Sequence, residues 1–231
     1  VQIPTFGAAI AFGYNQPGCD LKLTQLQAVQ VASGRITDWK QLGCEPGALT
    51  WVHRSDASGT TDSFARSMQA FSSQWPLGTG TLIRWPADNV IAAEGNSGVA
   101  AVIESKRGAI GYLGLSHVKG RIRAAALQND NGEFLRPNPI SGAKALQGID
   151  LDFNLAGSNP NPSTQGAYPI VTLIWVKAYR SGNGEKSQVI KATLELMLSR
   201  EAQSQLPDLG LIPLEAEILS KSKAAIERIG Q

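Results

Sequence analysis

A short polar run carries the residues of this sequence that are best suited to chemistry. It extends from Val52 to Phe64 and reads VHRSDASGTTDSF, with an arginine, two aspartates, a glycine and several hydroxyl side chains. Residues of these types form polar turns, nucleophile loops of hydrolases and binding sites for small anions. The run is compatible with all three.

A polar turn is the simplest interpretation, because Ser, Asp and Gly favour turns. The segment before the run, Leu49 to Arg54, has the β-branched and aromatic content of a strand. After it, Phe64, Met68 and Phe71 have the i, i+4, i+7 spacing of one helix face. The run therefore joins a strand to a helix, and a plain turn at that place does not need Arg54.

A second interpretation makes Ser58 the nucleophile of a hydrolase acting on phosphate esters or acyl groups. Such a serine needs a general base within hydrogen-bonding distance. The elbow pattern G-x-S-x-G is absent, since Asp56 occupies the position of its first glycine. His53 precedes Arg54 on the strand and is predicted to point to the opposite face, while His117 lies far along the chain.

A third interpretation is an anion site at the start of the helix. The first turn of a helix has unpaired N–H groups and the positive end of the helix dipole, and both favour a bound anion. Arg54 adds a full positive charge, and Asp56 is expected to pair with Arg54 and orient it. Four consecutive residues are predicted to offer backbone N–H donors: Ser58, Gly59, Thr60 and Thr61.

Other ligand classes lack a pattern in this sequence. No His, Cys, Asp and Glu residues have the spacing of metal ligands, and no Lys follows the glycine as in a P-loop, so neither a metal nor a cofactor is predicted. The net charge is +2, without a stripe of Lys and Arg, which argues against nucleic acid as a partner. The basic run from Lys119 to Arg123 is predicted to be a solvated strand edge.

The composition, 42% hydrophobic and 17% charged over 231 residues, is typical of a globular protein. No apolar run approaches the roughly 20 residues of a membrane span, and no signal-peptide pattern starts at Val1, so any targeting segment is expected to lie outside this sequence.

Cys19 and Cys44 flank a predicted helix. They form either a disulfide in an oxidising compartment or two unpaired core thiols.

Strands and helices alternate along the rest of the chain. Two long apolar runs, Ile3 to Asn15 and Tyr168 to Tyr179, predict buried strands. Thr24 and Gln27 form a capping box for a helix, and a second short helix is predicted around Asp38 to Leu42. The segments from 97 to 108 and from 109 to 115 predict a helix and a strand. Residues 128–166 predict a loop-rich excursion with one weak helical window near Ala143 to Leu146, and the C-terminal region predicts two helices. This order predicts an α/β fold with a largely parallel sheet.

Six segments together resemble the PstS-type phosphate-binding proteins of phosphate-specific ABC transporters, with the cyanobacterial receptors most similar. In chain order they read IPTFGAAIAFGYN, SGRITDWKQL, HRSDASGTTDSF, GTGTLIRWP, GNSGVAAVIESKRGAIGYLGLSH and YPIVTLIWV. The resemblance implies a type II periplasmic-binding-protein-like fold, in which two hinge strands join two lobes. Residues 1–14 and 169–231 would form part of lobe 1, and residues 15–168 would form lobe 2.

The same resemblance implies a function and a site. The protein would be a non-enzymatic receptor, periplasmic or otherwise extracytoplasmic and either free or lipid-anchored, that binds inorganic phosphate and delivers it to an ABC permease. A signalling or adhesion module on the receptor fold is the alternative. The implied phosphate ligands are Arg54, Ser58, Gly59 and Thr60, joined by Thr61, and the implied role of Asp56 is to hold the arginine.

One departure from the family affects the site. Family members have an N-terminal segment before the first hinge strand, which carries further phosphate ligands and a carboxylate that accepts the proton of hydrogen phosphate. That segment is not in this sequence, so the first lobe is expected to be incomplete in this chain. A second chain that supplies the segment, an incomplete chain or a truncated product would explain this departure, and each is favoured over a natural one-lobed protein.

Overall fold

The computed structural model describes residues 1–86 and 88–230. The strands are β1 (Gln2–Asn15), β2 (Lys22–Leu23), β3 (Thr50–Arg54), β4 (Val90–Ala93), β5 (Ala109–Gly114), β6 (Arg123–Ala124), β7 (Ala126–Gln128), β8 (Phe134–Leu135) and β9 (Val171–Lys177). The α-helices are α1 (Gln25–Ala32), α2 (Gly59–Phe71), α3 (Gly95–Ser105), α4 (Pro139–Leu146), α5 (Lys186–Met197), α6 (Arg200–Gln205) and α7 (Ala216–Ile226). None of these helices combines the length and the apolar character that a membrane span requires.

The main sheet contains both parallel and antiparallel pairs. Its strand order is β4-β3-β5-β1-β6, and β9 pairs with β1 beyond this path. β3 runs parallel to β4 and β5, whereas β1 runs antiparallel to β5, β6 and β9. The prediction of a largely parallel sheet therefore holds only for β3, β4 and β5, the strands that α2 and α3 connect along the chain. β1 reaches its neighbours through long connections, which do not impose a parallel direction.

β1 is long because two groups of strands share it. Its residues from Gln2 to Ala9 pair with β9, and those from Ile10 to Asn15 pair with β5. The chain thus changes partners between Ala9 and Ile10. The apolar run at the start of the sequence therefore forms one strand that pairs with both β9 and β5, and this strand is buried over most of its length.

Several elements differ from the prediction. β9 covers Val171–Lys177 instead of Tyr168 to Tyr179, and it is partly exposed because, within the described residues, it pairs only with β1. Three α-helices instead of two close the chain, since Ser199 caps a separate helix, α6, by accepting from the N–H of Ala202. In the loop-rich excursion, α4 includes the helical window near Ala143 but begins earlier, with Asn138 as its N-cap and a proline at the first position.

Local signals elsewhere agree with the structure. Thr24 and Gln27 form the predicted capping box of α1. The expected short helix near Asp38 is a 3-10 helix, Trp39–Leu42. Cys19 and Cys44 form a disulfide with a Cα–Cα distance of 5.3 Å, which decides between the two alternatives for these cysteines.

A cluster of aromatic side chains packs β3, β5 and α2 together. Phe64 and Tyr112 stack with ring centroids 4.5 Å apart, and Trp51 and Trp85 lie within 6.5 Å of Phe64. Phe12 of β1 also contacts Phe64, at 5.2 Å. Burial of these large rings holds the end of β3 and the start of α2 in a defined relative position.

Candidate functional site

The candidate site lies where β3 ends and α2 begins. β3 ends at Arg54, α2 begins at Gly59, and the connecting loop carries Asp56 and Ser58. Ser58 is the N-cap of α2, and its Oγ accepts a hydrogen bond from the N–H of Thr60 at 3.1 Å. The N-terminus of a 13-residue helix therefore opens beside an arginine, as the sequence predicts.

Asp56 holds the guanidinium of Arg54 through two bonds. Nε donates to Oδ1 at 2.7 Å, and Nη2 donates to Oδ2. Oδ1 also accepts from the backbone N–H of Gly95, the first residue of α3, at 3.0 Å. The carboxylate is thus fixed from two sides and in turn fixes the direction of the arginine.

These bonds keep both groups charged. The Arg54 guanidinium, and then the N–H of Gly95, hold the pKa of the Asp56 carboxyl well below its usual range. The hydrogen bond to Asp56 raises the pKa of Arg54. Only 11% of the Arg54 side chain is exposed, so water screens its remaining N–H groups little. These groups therefore attract an anion more strongly than those of a fully exposed arginine would.

The four predicted backbone donors are not equivalent. The N–H of Ser58 donates to the carbonyl of Thr81 at 2.9 Å, and the N–H of Thr60 donates to Ser58 Oγ. Within the described residues, the N–H groups of Gly59 and Thr61 have no acceptor. Two of the four backbone N–H groups expected to be unpaired are therefore occupied, because the N-cap and the segment around Thr81 satisfy them.

Thr61 points its side chain toward the core. Its hydroxyl lies 2.7 Å from the hydroxyl of Tyr112, and the residue is 1% exposed. By contrast, Arg54, Ser58, Gly59 and Thr60 line a cleft with a volume of about 780 Å³. Thr61 can thus offer its N–H to this site, whereas its hydroxyl bonds Tyr112.

The opposite side of the cleft is formed by β9 and a preceding loop. Thr172 to Trp175 and Ala156 to Ser158 line it. Ser63 of α2 donates from its hydroxyl to Thr172 Oγ1 at 3.0 Å. The cleft therefore lies between the helix that begins at the candidate site and the strand that pairs with the first half of β1.

A family model described as a PBP superfamily domain matches residues 1–201. This chain belongs to the PBP superfamily. The match covers the candidate site and both long apolar runs, so the periplasmic-binding-protein-like α/β fold expected from the sequence is confirmed.

Individual relatives of this PBP superfamily member are phosphate-binding proteins. It is 29% identical over 227 residues to the phosphate-binding protein PstS of Xylella fastidiosa strain Temecula1, covering 90% of this chain but 60% of that protein. With PstS of Methanocaldococcus jannaschii it shares 28% identity over 269 residues, covering 99% of this chain and 67% of the relative. The resemblance to PstS-type proteins is thereby confirmed, although the chain spans only 60% of the Xylella protein.

Solved structures show the same fold. A high-affinity periplasmic phosphate-binding protein, PfluDING, determined with bound phosphate, has a TM-score of 0.82 and 17% identity, covering 100% of this chain and 76% of that chain. A phosphate-binding protein from Stenotrophomonas maltophilia has a TM-score of 0.81 and 19% identity, covering 97% of this chain and 70% of the other.

The nucleophile interpretation finds no support around Ser58. In residues 1–86 and 88–230, no His or Lys side chain forms a hydrogen bond with it. His53 places Nδ1 2.9 Å from the carbonyl oxygen of Arg54 and stacks on Trp85, and His117 contacts Ser116. The described part of the chain also contains no cluster of His, Cys, Asp or Glu that could hold a metal ion.

Three contacts of the site are not among those that the sequence predicts. The donor from Gly95, the acceptor at Thr81 and the hydroxyl of Tyr112 all come from segments distant in sequence. Gly95 had one available signal, since it starts a helix after a strand in a segment that resembles the family. Tyr112 and Thr81 had none, because a buried tyrosine and a loop carbonyl are ordinary features.

Proposed function

We propose that this chain binds inorganic phosphate at the N-terminus of α2, and that the protein delivers the anion to an ABC importer. One observation carries this proposal. A guanidinium fixed by Asp56 and two unpaired N–H groups, of Gly59 and Thr61, belong to one loop and helix start that borders an open cleft. The names of the PstS relatives support phosphate as the anion.

Each residue of the proposed site has a separate role. Asp56 occupies Nε and one N–H of Nη2, so Nη1 of Arg54 remains to donate to phosphate oxygens. Ser58 Oγ accepts from Thr60 N–H, which leaves its own proton to be donated. Gly59 lets the anion approach the backbone, since a Cβ there would face open space. The hydroxyl of Thr60 and the N–H of Thr61 complete the set.

Such a set of fixed donors suits binding without chemistry. The donors are backbone N–H groups, hydroxyls and an arginine that stays protonated, and none of them titrates near neutral pH. Phosphate would favour the closed form of the cleft only to the extent that it binds that form better. Release to a permease then requires the open form to be populated again.

The proposal includes the domain division and the location predicted from the sequence. Residues 1–14 and 169–231 would belong to lobe 1, and residues 15–168 to lobe 2. The disulfide Cys19–Cys44 supports an extracytoplasmic location, because such bonds persist in oxidising compartments. The permease as partner, and a second chain that completes the first lobe, stay predictions.

Calorimetric titration of the full-length protein with phosphate, arsenate, sulfate and molybdate tests the proposal. Phosphate and arsenate, which both carry a proton at neutral pH, are expected to bind more tightly than sulfate and molybdate. Equal affinities for phosphate and sulfate would overturn phosphate as the ligand. No heat with any of the four anions would overturn anion binding itself.

A further inference from the structure

Tyr112 holds the two ends of the anion-binding loop together through one hydroxyl. The N–H of Arg54 donates to Tyr112 Oη at 3.2 Å, and Thr61 Oγ1 lies 2.7 Å from the same oxygen. Arg54 is the last residue of β3, and Thr61 lies in the first turn of α2. Asp56 and Ser58 lie in the loop between these two points.

On the β5 side of β3, the hydroxyl replaces a backbone partner for the N–H of Arg54. Pairing of β3 with β5 ends at Val52 opposite Gly111, two residues before Arg54. The N–H of Arg54 must act as a donor, so Tyr112 Oη is its acceptor. The proton of Tyr112 is then available for Thr61 Oγ1, and the three groups form a connected chain of hydrogen bonds.

The position of this hydroxyl is closely determined. Tyr112 is fully buried in the middle of β5, between β3 and β1 in the strand order. Its ring stacks on Phe64 of α2 at 4.5 Å and on Trp85 at 5.6 Å. Burial raises the pKa of Tyr112, so the hydroxyl keeps its proton at neutral pH.

We infer that Tyr112 is a positioning residue for the phosphate site. Its hydroxyl sets the separation between the arginine at the end of β3 and the N–H groups that begin α2, without touching the ligand. This inference rests on the proposed function. Donors placed away from their productive positions by a fraction of an ångström lose much of their binding energy.

Tyr112→Phe removes only the hydroxyl oxygen and keeps the ring in the aromatic cluster. We expect the variant to fold. Its phosphate dissociation constant should rise about tenfold, because Arg54 and Thr61 lose the hydroxyl that both of them bond. Tyr14→Phe is the matched control. Tyr14 is fully buried, its Oη accepts from the N–H of Leu21 at 3.2 Å, and it donates to the carbonyl of Cys19 at 2.9 Å.

The control separates positioning from general stability. Both variants lose a buried hydroxyl with two bonds, so their melting temperatures should fall by similar amounts, while only Tyr112→Phe should weaken phosphate binding. Wild-type affinity in Tyr112→Phe, or equal weakening in both variants, would overturn the inference. Adding Thr61→Val to Tyr112→Phe should cause little further loss, and additive losses would contradict a shared bond.

A readout without ligand keeps the inference distinct from the proposed function. Amide hydrogen exchange of residues 58–61 in the free protein should be faster in Tyr112→Phe than in Tyr14→Phe and wild type. If wild type failed to bind phosphate while exchange accelerated as expected, the ligand assignment would fall and the positioning of the loop would stand. Unchanged exchange in Tyr112→Phe would overturn the positioning.

Discussion

Ser63 on α2 and Thr172 on β9 are joined by a hydrogen bond of 3.0 Å between their side-chain oxygens. The bond crosses the cleft from the helix that carries the proposed anion site to the strand that pairs with the first half of β1. It is therefore a direct link between the two groups of strands that β1 connects. Such a link favours the conformation in which the cleft is narrow.

Ser63→Ala should weaken phosphate binding modestly. Loss of one neutral hydrogen bond, worth about 1 kcal/mol, would raise the dissociation constant about fivefold because the narrow form becomes less populated. Calorimetry measures the affinity, and small-angle scattering without ligand should show a larger radius of gyration. Ser105→Ala, at the end of α3, removes a hydroxyl that bonds Val102 of its own helix and should change neither quantity. An unchanged affinity in Ser63→Ala would contradict this role.

Arg54→Ala should reduce phosphate affinity about 100-fold or more. The variant loses charge-assisted bonds worth roughly 3 kcal/mol and leaves the Asp56 carboxylate next to the anion without its partner. Arg35→Ala removes the same formal charge from an exposed side chain that bonds Gln74. Calorimetry on both variants separates a specific site from general attraction. Similar losses in the two would remove Arg54 from the site.

Gly59→Ala should lower phosphate affinity without lowering stability. A Cβ at Gly59 meets nothing within 4 Å, so the fold accepts it, and alanine stabilises a helix by up to about 1 kcal/mol relative to glycine. The methyl group would instead extend into the space through which the anion approaches. Gly47→Ala, also with open space around its Cβ, is the control for thermal denaturation and calorimetry. Full affinity in Gly59→Ala would mean that the anion does not approach this residue.

The stability of the protein should fall as the pH is lowered from about 7 to about 5.5. Burial is the main cause that lowers the pKa of both His53 and His117 in the folded state below 6.5, the usual value in an unfolded chain. As the pH falls through 6.5, the unfolded state binds protons that the folded state does not, so unfolding becomes more favourable. Above pH 7 both states hold neutral histidines and this dependence disappears.

Melting temperatures across this range test the histidine effect. The double variant His53→Asn, His117→Asn carries no imidazole and should show a flatter profile than wild type. The Arg54 and Asp56 pair should not contribute, because the lowered pKa of Asp56 keeps this carboxylate ionised well below pH 5.5. A profile equally steep in the double variant would assign the pH dependence to other groups.

The sequence by itself determined the local features of this protein. Strand, polar loop and helix around Val52 to Phe64 follow from β-branched content, helix-start residues and the spacing of Phe64 and Met68. The capping box at Thr24 and the helix near Asp38 follow from the same kind of short-range signal. These features depend on groups within a few residues of each other, and such interactions act before any tertiary contact forms.

Only the tertiary structure decided which donors of the loop remain unpaired. The carbonyl of Thr81 accepts a hydrogen bond from the N–H of Ser58, 23 residues away in sequence. The hydroxyl of Tyr112 bonds the hydroxyl of Thr61, 51 residues away. The tertiary structure also decided that β1 runs antiparallel to its neighbours and that Cys19 and Cys44 form a disulfide. No periodicity or spacing encodes such pairs, because their geometry depends on how the aromatic cluster and the sheet pack, and packing is a property of the whole fold.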